Sequence, residues 1–170
     1  MGRQFLAYWK PEGLNFLQYT QWKVPYLGSD QLAKRGIKAG DRIWITTLRG
    51  ERLNMIAPLV VGEIVDPERA REVIGASAIY QSKWYAIGAG DAEIVRQFSI
   101  DEFVDQIRFV GPNDRLMRTG QGRVDAKQLQ TIRELTEDSA NLLEGVWQRR
   151  LAAGEESRTL GGTFIKGTHG

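Results

Sequence analysis

Few side chains in this 170-residue sequence could carry covalent or acid/base chemistry. There is no cysteine and a single histidine, His169, close to the C-terminal end. Thiol nucleophiles, disulfides and thiolate metal sites are therefore excluded, and histidine-based proton transfer nearly so. Gly88-Ala89-Gly90 lacks the spacing of a dinucleotide fingerprint, and no Gly-Lys-Ser/Thr phosphate loop is present. Asp91 and Glu93 could contribute to a metal-dependent nuclease, but Ile94 and Val95 follow where such a site needs a lysine. A two-residue acidic pair beside a turn reads as surface. No catalytic residue, metal or cofactor is expected, and non-covalent recognition by rings and cations is left.

The cations are unevenly placed. Residues 1–52 carry nine Lys or Arg against four acids (+5), residues 53–110 five against nine (−4), and residues 111–170 nine against eight (+1), which sums to the net +2. Lys34, Arg35, Lys38, Arg42, Arg49 and Arg52 concentrate the excess. They could form a phosphate-facing surface; an ordinary solvated face is the competing reading.

The elements that must position these groups follow from local patterns. Phe5-Leu6-Ala7-Tyr8-Trp9, halted by Lys10-Pro11, reads as a buried strand that delivers Trp9 to its end. Ser29-Asp30 before residues 31–35, with Gly36 after them, predicts a short capped helix. Lys38-Ala39-Gly40-Asp41 is a turn leading into the β-branched run of residues 42–47, and Gly50 turns the chain back. Residues 55–65 form a long strand in which Pro58 and Gly62 predict a bulge or bend of the kind that curls a sheet into a barrel. Asp66 as N-cap, Pro67 at the first helical position and Gly75 beyond the end bound a short helix. Strands are expected at 83–87, 92–98 and 106–110. A helix opening at Asp125 carries Leu129, Ile132 and Leu135, and a second opens at Thr136 with Ala140, Leu143, Trp147 and Leu151 on one face. Trp44 and Trp147 are expected in the core. From Gly154 the polar, glycine-rich sequence predicts a mobile tail.

At 42% apolar and 26% charged residues the chain has globular composition, and its length suits one domain with an appendage. No apolar run approaches the roughly 18–20 residues that cross a bilayer, and the N-terminal residues do not resemble a secretory leader, so no membrane partner and a cytoplasmic location are expected.

Trp9-Lys10-Pro11 at the end of an aromatic strand, Gly40-Asp41 before Ile43-Trp44-Ile45-Thr46-Thr47, the run from Val60 to Pro67, and Lys83-Trp84-Tyr85-Ala86-Ile87 come in a characteristic order. Together they resemble the EVE domain of the PUA-like superfamily, kin of the YTH and ASCH domains, over about residues 3–110. The resemblance implies an α+β fold: a small, strongly bent mixed β-barrel at 1–110 flanked by helices. A helical extension of two helices at 111–153 would pack on the barrel, with a flexible tail at 154–170. Relatives read modified bases in DNA or RNA, often as specificity modules of modification-dependent restriction systems whose nuclease is separate. The implied function is a non-catalytic reader, with DNA ahead of RNA and a separate nuclease or other effector as partner.

Such a reader must extract a base and offset an unstacking cost of a few kcal/mol. Stacking on an aromatic wall contributes about 1–3 kcal/mol per base, while burying a methyl group adds only about 0.8 kcal/mol. Discrimination therefore needs polar groups beside the rings. Trp9, Trp22, Trp84 and Tyr85 are the candidate walls, and Lys10, Ser29, Thr46, Thr47, Tyr80 and Ser82 the candidate edge-readers. Two other classes remain: an interaction module in which the first domain only scaffolds the C-terminal helices, and a small-molecule enzyme using the same cavity.

Overall fold

The computed structural model describes residues 2–12, 14, 17, 22–75 and 81–161, with side chains up to residue 154. Its architecture is α+β. Seven strands form one mixed sheet: β1 (Gln4–Tyr8), β2 (Tyr26–Gly28), β3 (Arg42–Arg49), β4 (Arg52–Val65), β5 (Tyr85–Gly88), β6 (Phe98–Ser99) and β7 (Arg133–Glu134). Their order is β2-β5-β4-β3-β1-β7, with β6 also paired to β4. β1 and β3 are parallel, and every other strand pair is antiparallel. The pairing leaves β2 and β7 as sheet ends, so strand hydrogen bonding does not close a barrel.

The anchor of the sheet is Asp41. Its side chain is buried and accepts hydrogen bonds from the backbone N–H of Arg3 at 2.9 Å and of Lys38 at 3.0 Å. The Arg3 guanidinium lies 3.7 Å from the same carboxylate. Arg42 N–H also donates to Arg3 C=O at 2.9 Å. These bonds set Gln4 opposite Arg42, and the register runs on to Tyr8 opposite Thr46. Gly2 packs so closely that a Cβ there would lie 2.2 Å from the Gly40 carbonyl oxygen.

The β3–β4 hairpin turns on Gly50 and Glu51, at φ 56° and 66°, the left-handed pair that a tight two-residue hairpin requires. β4 is irregular twice. Ile56 is an extra residue against β3, where Ile45 faces Ala57 and Thr46 faces Met55. Gly62 is extra against β5, where Val61 faces Gly88 and Glu63 faces Ile87. The bulge expected around Pro58 and Gly62 is thus realised at Gly62, while Pro58 stays in register opposite Trp44. Helix α1 (Pro67–Ile74) forms as its sequence dictates, with the Asp66 carboxylate accepting from Arg69 N–H at 2.9 Å and Gly75 at φ 99° beyond its end.

Several expected elements are shorter or different. Residues 30–36 make a single turn instead of a helix, closed by Ile37 N–H to Leu32 C=O and Gly36 N–H to Ala33 C=O; this is helix-terminating geometry without a preceding helix. The 92–98 strand reduces to a bridge at Ile94 and the two residues of β6, and the 106–110 strand to bridges at Arg108 and Phe109. The helix opening at Asp125 is a 3-10 helix, Ala126–Gln130, whose successors Arg133–Glu134 leave it to become β7. Because β7 pairs with β1, the segment after residue 110 completes the sheet and is more than an added layer. Helix α2 (Glu137–Gly161) continues past Gly154. Its Trp147 is 1% exposed and stacks on Phe98 with ring centroids 6.1 Å apart, joining the core that also holds Phe5 and Trp44. No helix among the described residues is long and apolar enough to cross a membrane.

Removing the Asp41 carboxylate leaves the part-buried N–H groups of Arg3 and Lys38 without this acceptor, at about 1–2 kcal/mol each. Asp41→Ala is therefore expected to lower the unfolding free energy by about 2–4 kcal/mol in urea titration, and Asp41→Asn, which retains one acceptor oxygen, by about half as much. An unchanged midpoint for Asp41→Ala would contradict this role.

Candidate functional site

The register set at Asp41 determines what meets at the other end of β1. Trp9 N–H donates to Thr46 C=O at 2.8 Å, extending the pairing one residue beyond Tyr8 and placing Trp9 beside Thr47. Alternation along the strands puts Trp9 on the face of Phe5 and Ala7, and Thr47 on that of Ile43 and Ile45. The next chain segment closes over this end: Arg96 N–H donates to Ile56 C=O at 3.2 Å, and Val95 N–H to Trp22 C=O at 2.8 Å. Phe98 then pairs with Met55, itself opposite Thr46. The backbone of Trp9, Trp22, Thr47, Arg96 and Gln97 thus comes together around the Ile56 bulge, with the Thr46 side chain on the other face of β3.

This region holds polar atoms that the fold leaves unused. Trp9 Nε1, Thr47 Oγ1, Arg96 Nε and Gln97 Nε2 are buried and have no hydrogen-bond partner among the described residues. Buried polar groups are nearly always paired, and each orphan costs about 1–3 kcal/mol. Gln97 is also strained, with φ 37°, in the left-handed region that non-glycine residues seldom occupy. The Thr46 hydroxyl, by contrast, is committed: it donates to Ala7 C=O at 2.8 Å. Trp9 is partly buried against the core, Lys10 is exposed, and Trp22 is 37% exposed. Burial, and secondarily the Glu12 carboxylate, pushes the neighbouring Tyr8 phenol up, so it keeps its proton.

The other expected wall residues belong elsewhere. Tyr85 pairs with Val65, ten residues along β4 from Met55. It is 1% exposed, packs with Tyr26, Val65 and Ala70 as a small second core, and its hydroxyl accepts from Ser82 N–H. Tyr85 is accordingly core and not a pocket wall, because β5 presents it inward beneath α1. Ser29 and Ser82 are occupied in turns around it: Ser29 Oγ accepts from Gln31 N–H, and Ser82 Oγ donates to Asp30. Trp84 is 37% exposed in this second group. Tyr80 lies outside the described residues.

The six front cations fall in three places. Arg49 and Arg52 face each other at the β3–β4 hairpin. Lys38 and Arg42 sit at the opposite end of β3, about 23 Å away at strand rise. Arg42 pairs with Glu144 of α2 and lies 5.3 Å over the Trp44 ring, so it fastens the helix. Lys34 and Arg35 line an open cleft beside β1 and β7. One continuous phosphate surface from all six is not formed. Among the described residues no group of three or more His, Asp or Glu is arranged to hold a metal ion.

Gln97 and Arg96 are the members of the site that sequence reasoning missed. The only signal was a polar pair interrupting Ile94-Val95 and Phe98, which passes for a solvent-facing strand position.

No protein-family model matches the chain, and no curated protein matches it. Among solved structures it is similar to a hypothetical protein from Leishmania major. The TM-score is 0.50 at 8% identity, with 89% of this chain and 98% of that one covered. At that identity the likeness concerns the fold alone.

Two measurements test this geometry. Gln97→Gly removes both the positive-φ strain and the orphaned amide, and is expected to raise stability by about 1 kcal/mol; a loss of that size would show that the amide is paired. The Asp30 carboxylate accepts from Lys83 N–H at 2.8 Å, and that bond foremost, with Ser82 and the nearby lysines, holds it below its ordinary 3.8. Its contribution is therefore present above the unfolded-state value and lost as pH falls through the lower folded-state value. An NMR titration of Asp30 is expected to show a midpoint below 3.8 that moves up in urea.

Proposed function

We propose that this protein is a non-catalytic nucleic-acid reader of EVE, PUA-like type, which takes one everted modified base at the β1–β3 end of its bent sheet. The observation that carries the reading is the set of unused polar atoms, Trp9 Nε1, Thr47 Oγ1 and Gln97 Nε2, on segments whose backbones converge at the Ile56 bulge, one of them at a positive φ. A fold keeps such atoms at a cost when a ligand supplies their partners.

The donor pattern favours a cytosine derivative over an adenine one. An indole N–H and an amide N–H are donors, and a threonine hydroxyl accepts or donates. A cytosine edge offers two adjacent acceptors and one amino donor, which matches this set; an adenine edge offers one acceptor and one amino group. Trp9 and the half-exposed Trp22 supply stacking surface, and the extra group on the base is sensed by shape. DNA is the favoured polymer, and cleavage, where it accompanies reading, belongs to a separate effector.

The test is a fluorescence-anisotropy titration of oligonucleotides identical except for one position, carrying cytosine, methylcytosine, hydroxymethylcytosine, adenine or methyladenine. One modified form is expected to bind more tightly than its plain counterpart. Trp9→Ala is expected to weaken that complex by about 1–3 kcal/mol, and Thr47→Val and Gln97→Gly to erode discrimination more than affinity. Trp84→Ala is expected to change neither. Equal binding of all oligonucleotides, or full selectivity in the Trp9→Ala protein, overturns the reading.

A further inference from the structure

A second concavity lies away from this rim. It is an open cleft of about 1000 Å³ with Phe5 of β1 and Arg133 and Glu134 of β7 along its base. One wall is the turn bearing Lys34 and Arg35, the other the segment bearing Asp114, Arg115 and Met117. Both walls are fixed from behind. Gln31 clamps the turn, its amide N–H donating to Gln130 C=O at 2.6 Å while its oxygen accepts from Ile132 N–H at 2.7 Å. The Arg118 guanidinium holds the opposite wall, donating to Asp105 at 2.9 Å, Gly122 C=O at 2.8 Å and Asp101 C=O at 3.1 Å.

The charges in the cleft do not balance. Four cations, Lys34, Arg35, Arg115 and Arg133, face two carboxylates, Asp114 and Glu134. Glu134 is already paired with Arg3 at 3.6 Å. Among the described residues no carboxylate lies within ion-pair distance of Lys34, Arg35 or Arg115, all of them exposed. The Arg133 guanidinium lies 4.0 Å over the Phe109 ring and donates to Asn113 C=O. Burial, and next the charge of Arg35, pushes its guanidinium down, with Asp114 opposing. Two guanidinium groups are thus kept near each other without full compensation, an arrangement an anion relieves. Exposed apolar surface accompanies the cations: Val110 is 58% and Met117 61% exposed.

We propose that this cleft binds the phosphodiester backbone of a nucleic-acid strand, with Lys34, Arg35, Arg115 and Arg133 as its phosphate contacts. The proposal rests on the nucleic-acid reading above and adds a second, sequence-independent site to it. Guanidinium forks suit phosphate oxygens, and Val110 and Met117 offer surface for sugar and base faces. Phe5 in the cleft and Trp9 at the rim, one residue past the end of β1, are four residues apart, about 13 Å at strand rise. A strand lying in the cleft therefore leads toward the rim within a short stretch.

The experiment measures binding of an unmodified single-stranded oligothymidylate by the full chain as salt is varied. Two contacts to a single strand contribute about 1.4 to the slope of log affinity against log salt. Lys34→Gln/Arg115→Gln, both exposed, is expected to reduce the slope by that amount and weaken binding about 25-fold at 0.1 M salt. Arg133→Gln is expected to act in the same direction. Arg69→Gln/Arg71→Gln on α1, which removes the same charge elsewhere, is expected to leave the slope unchanged, and thermal melting checks that each variant is folded. An unchanged slope in the Lys34/Arg115 variant overturns the proposal, as does equal weakening by the α1 variant. Competition by inorganic phosphate or polyglutamate at the concentration of oligonucleotide phosphate also overturns it, by showing a general anion site. The two readings fail separately. Loss of selectivity for a modified base with the salt slope intact removes the rim site alone, and selectivity with a slope indifferent to Lys34 and Arg115 removes the cleft alone.

Discussion

The parallel pairing of β1 with β3 governs the rest of the molecule, and it depends on a buried carboxylate. Parallel neighbours cannot be joined by a tight turn, so the chain must leave β1, travel through residues 9–41 and return in register. Asp41 makes that register unique by receiving the N–H groups of Arg3 and Lys38 together. A slip by one residue would reverse the faces of β1 and expose its apolar set. It would also separate Trp9 from Thr47. The candidate rim is therefore a consequence of a hydrogen-bonding arrangement at the far end of the same two strands.

β4 converts this local order into shape. Its 14 residues serve three partners, β3 from Arg52 to Val60, β6 at Asn54 and Met55, and β5 from Val61 to Val65. An extra residue at Ile56 and another at Gly62 let one strand change direction between them. The first irregularity lies where Arg96 and Gln97 approach, and their unpaired atoms and positive φ are located there. Among the described residues the orphaned side-chain atoms all belong to residues of these converging segments, while in the second cluster the Tyr85 hydroxyl accepts from Ser82 N–H. That contrast, more than the number of aromatic residues, separates a candidate site from a core.

Helix α2 stabilises the opposite face of the sheet. Trp147 stacks on Phe98, Arg150 lies 5.0 Å over the same Phe98 ring, and Glu144 pairs with Arg42. Arg42 is thereby removed from the pool of cations open to a ligand, although its position in the sequence is indistinguishable from that of Lys34 or Arg35. Charge in a sequence window says little about charge at a surface, because pairing across distant elements decides which cations remain unneutralised.

Some features were legible before any coordinates. The strand ending at Trp9, the β3–β4 hairpin at Gly50, the bend near Gly62 and helix α1 between Asp66 and Gly75 all rest on contacts between residues close in the chain, where residue type alone sets the backbone preference. The absence of cysteine and the scarcity of histidine likewise narrowed the chemistry from composition. Three things were decided only by tertiary structure. Arg133–Glu134 became a strand through pairing with β1, despite a helical apolar spacing around them. Tyr85 turned inward because Val65 and Tyr26 met it. Gln97 acquired a left-handed backbone and an unpartnered amide because two strands and a crossing segment converge on it. The physical reason is common to all three: a side chain's burial, pairing and strain are set by neighbours tens of residues away, and short-range periodicity carries no information about them.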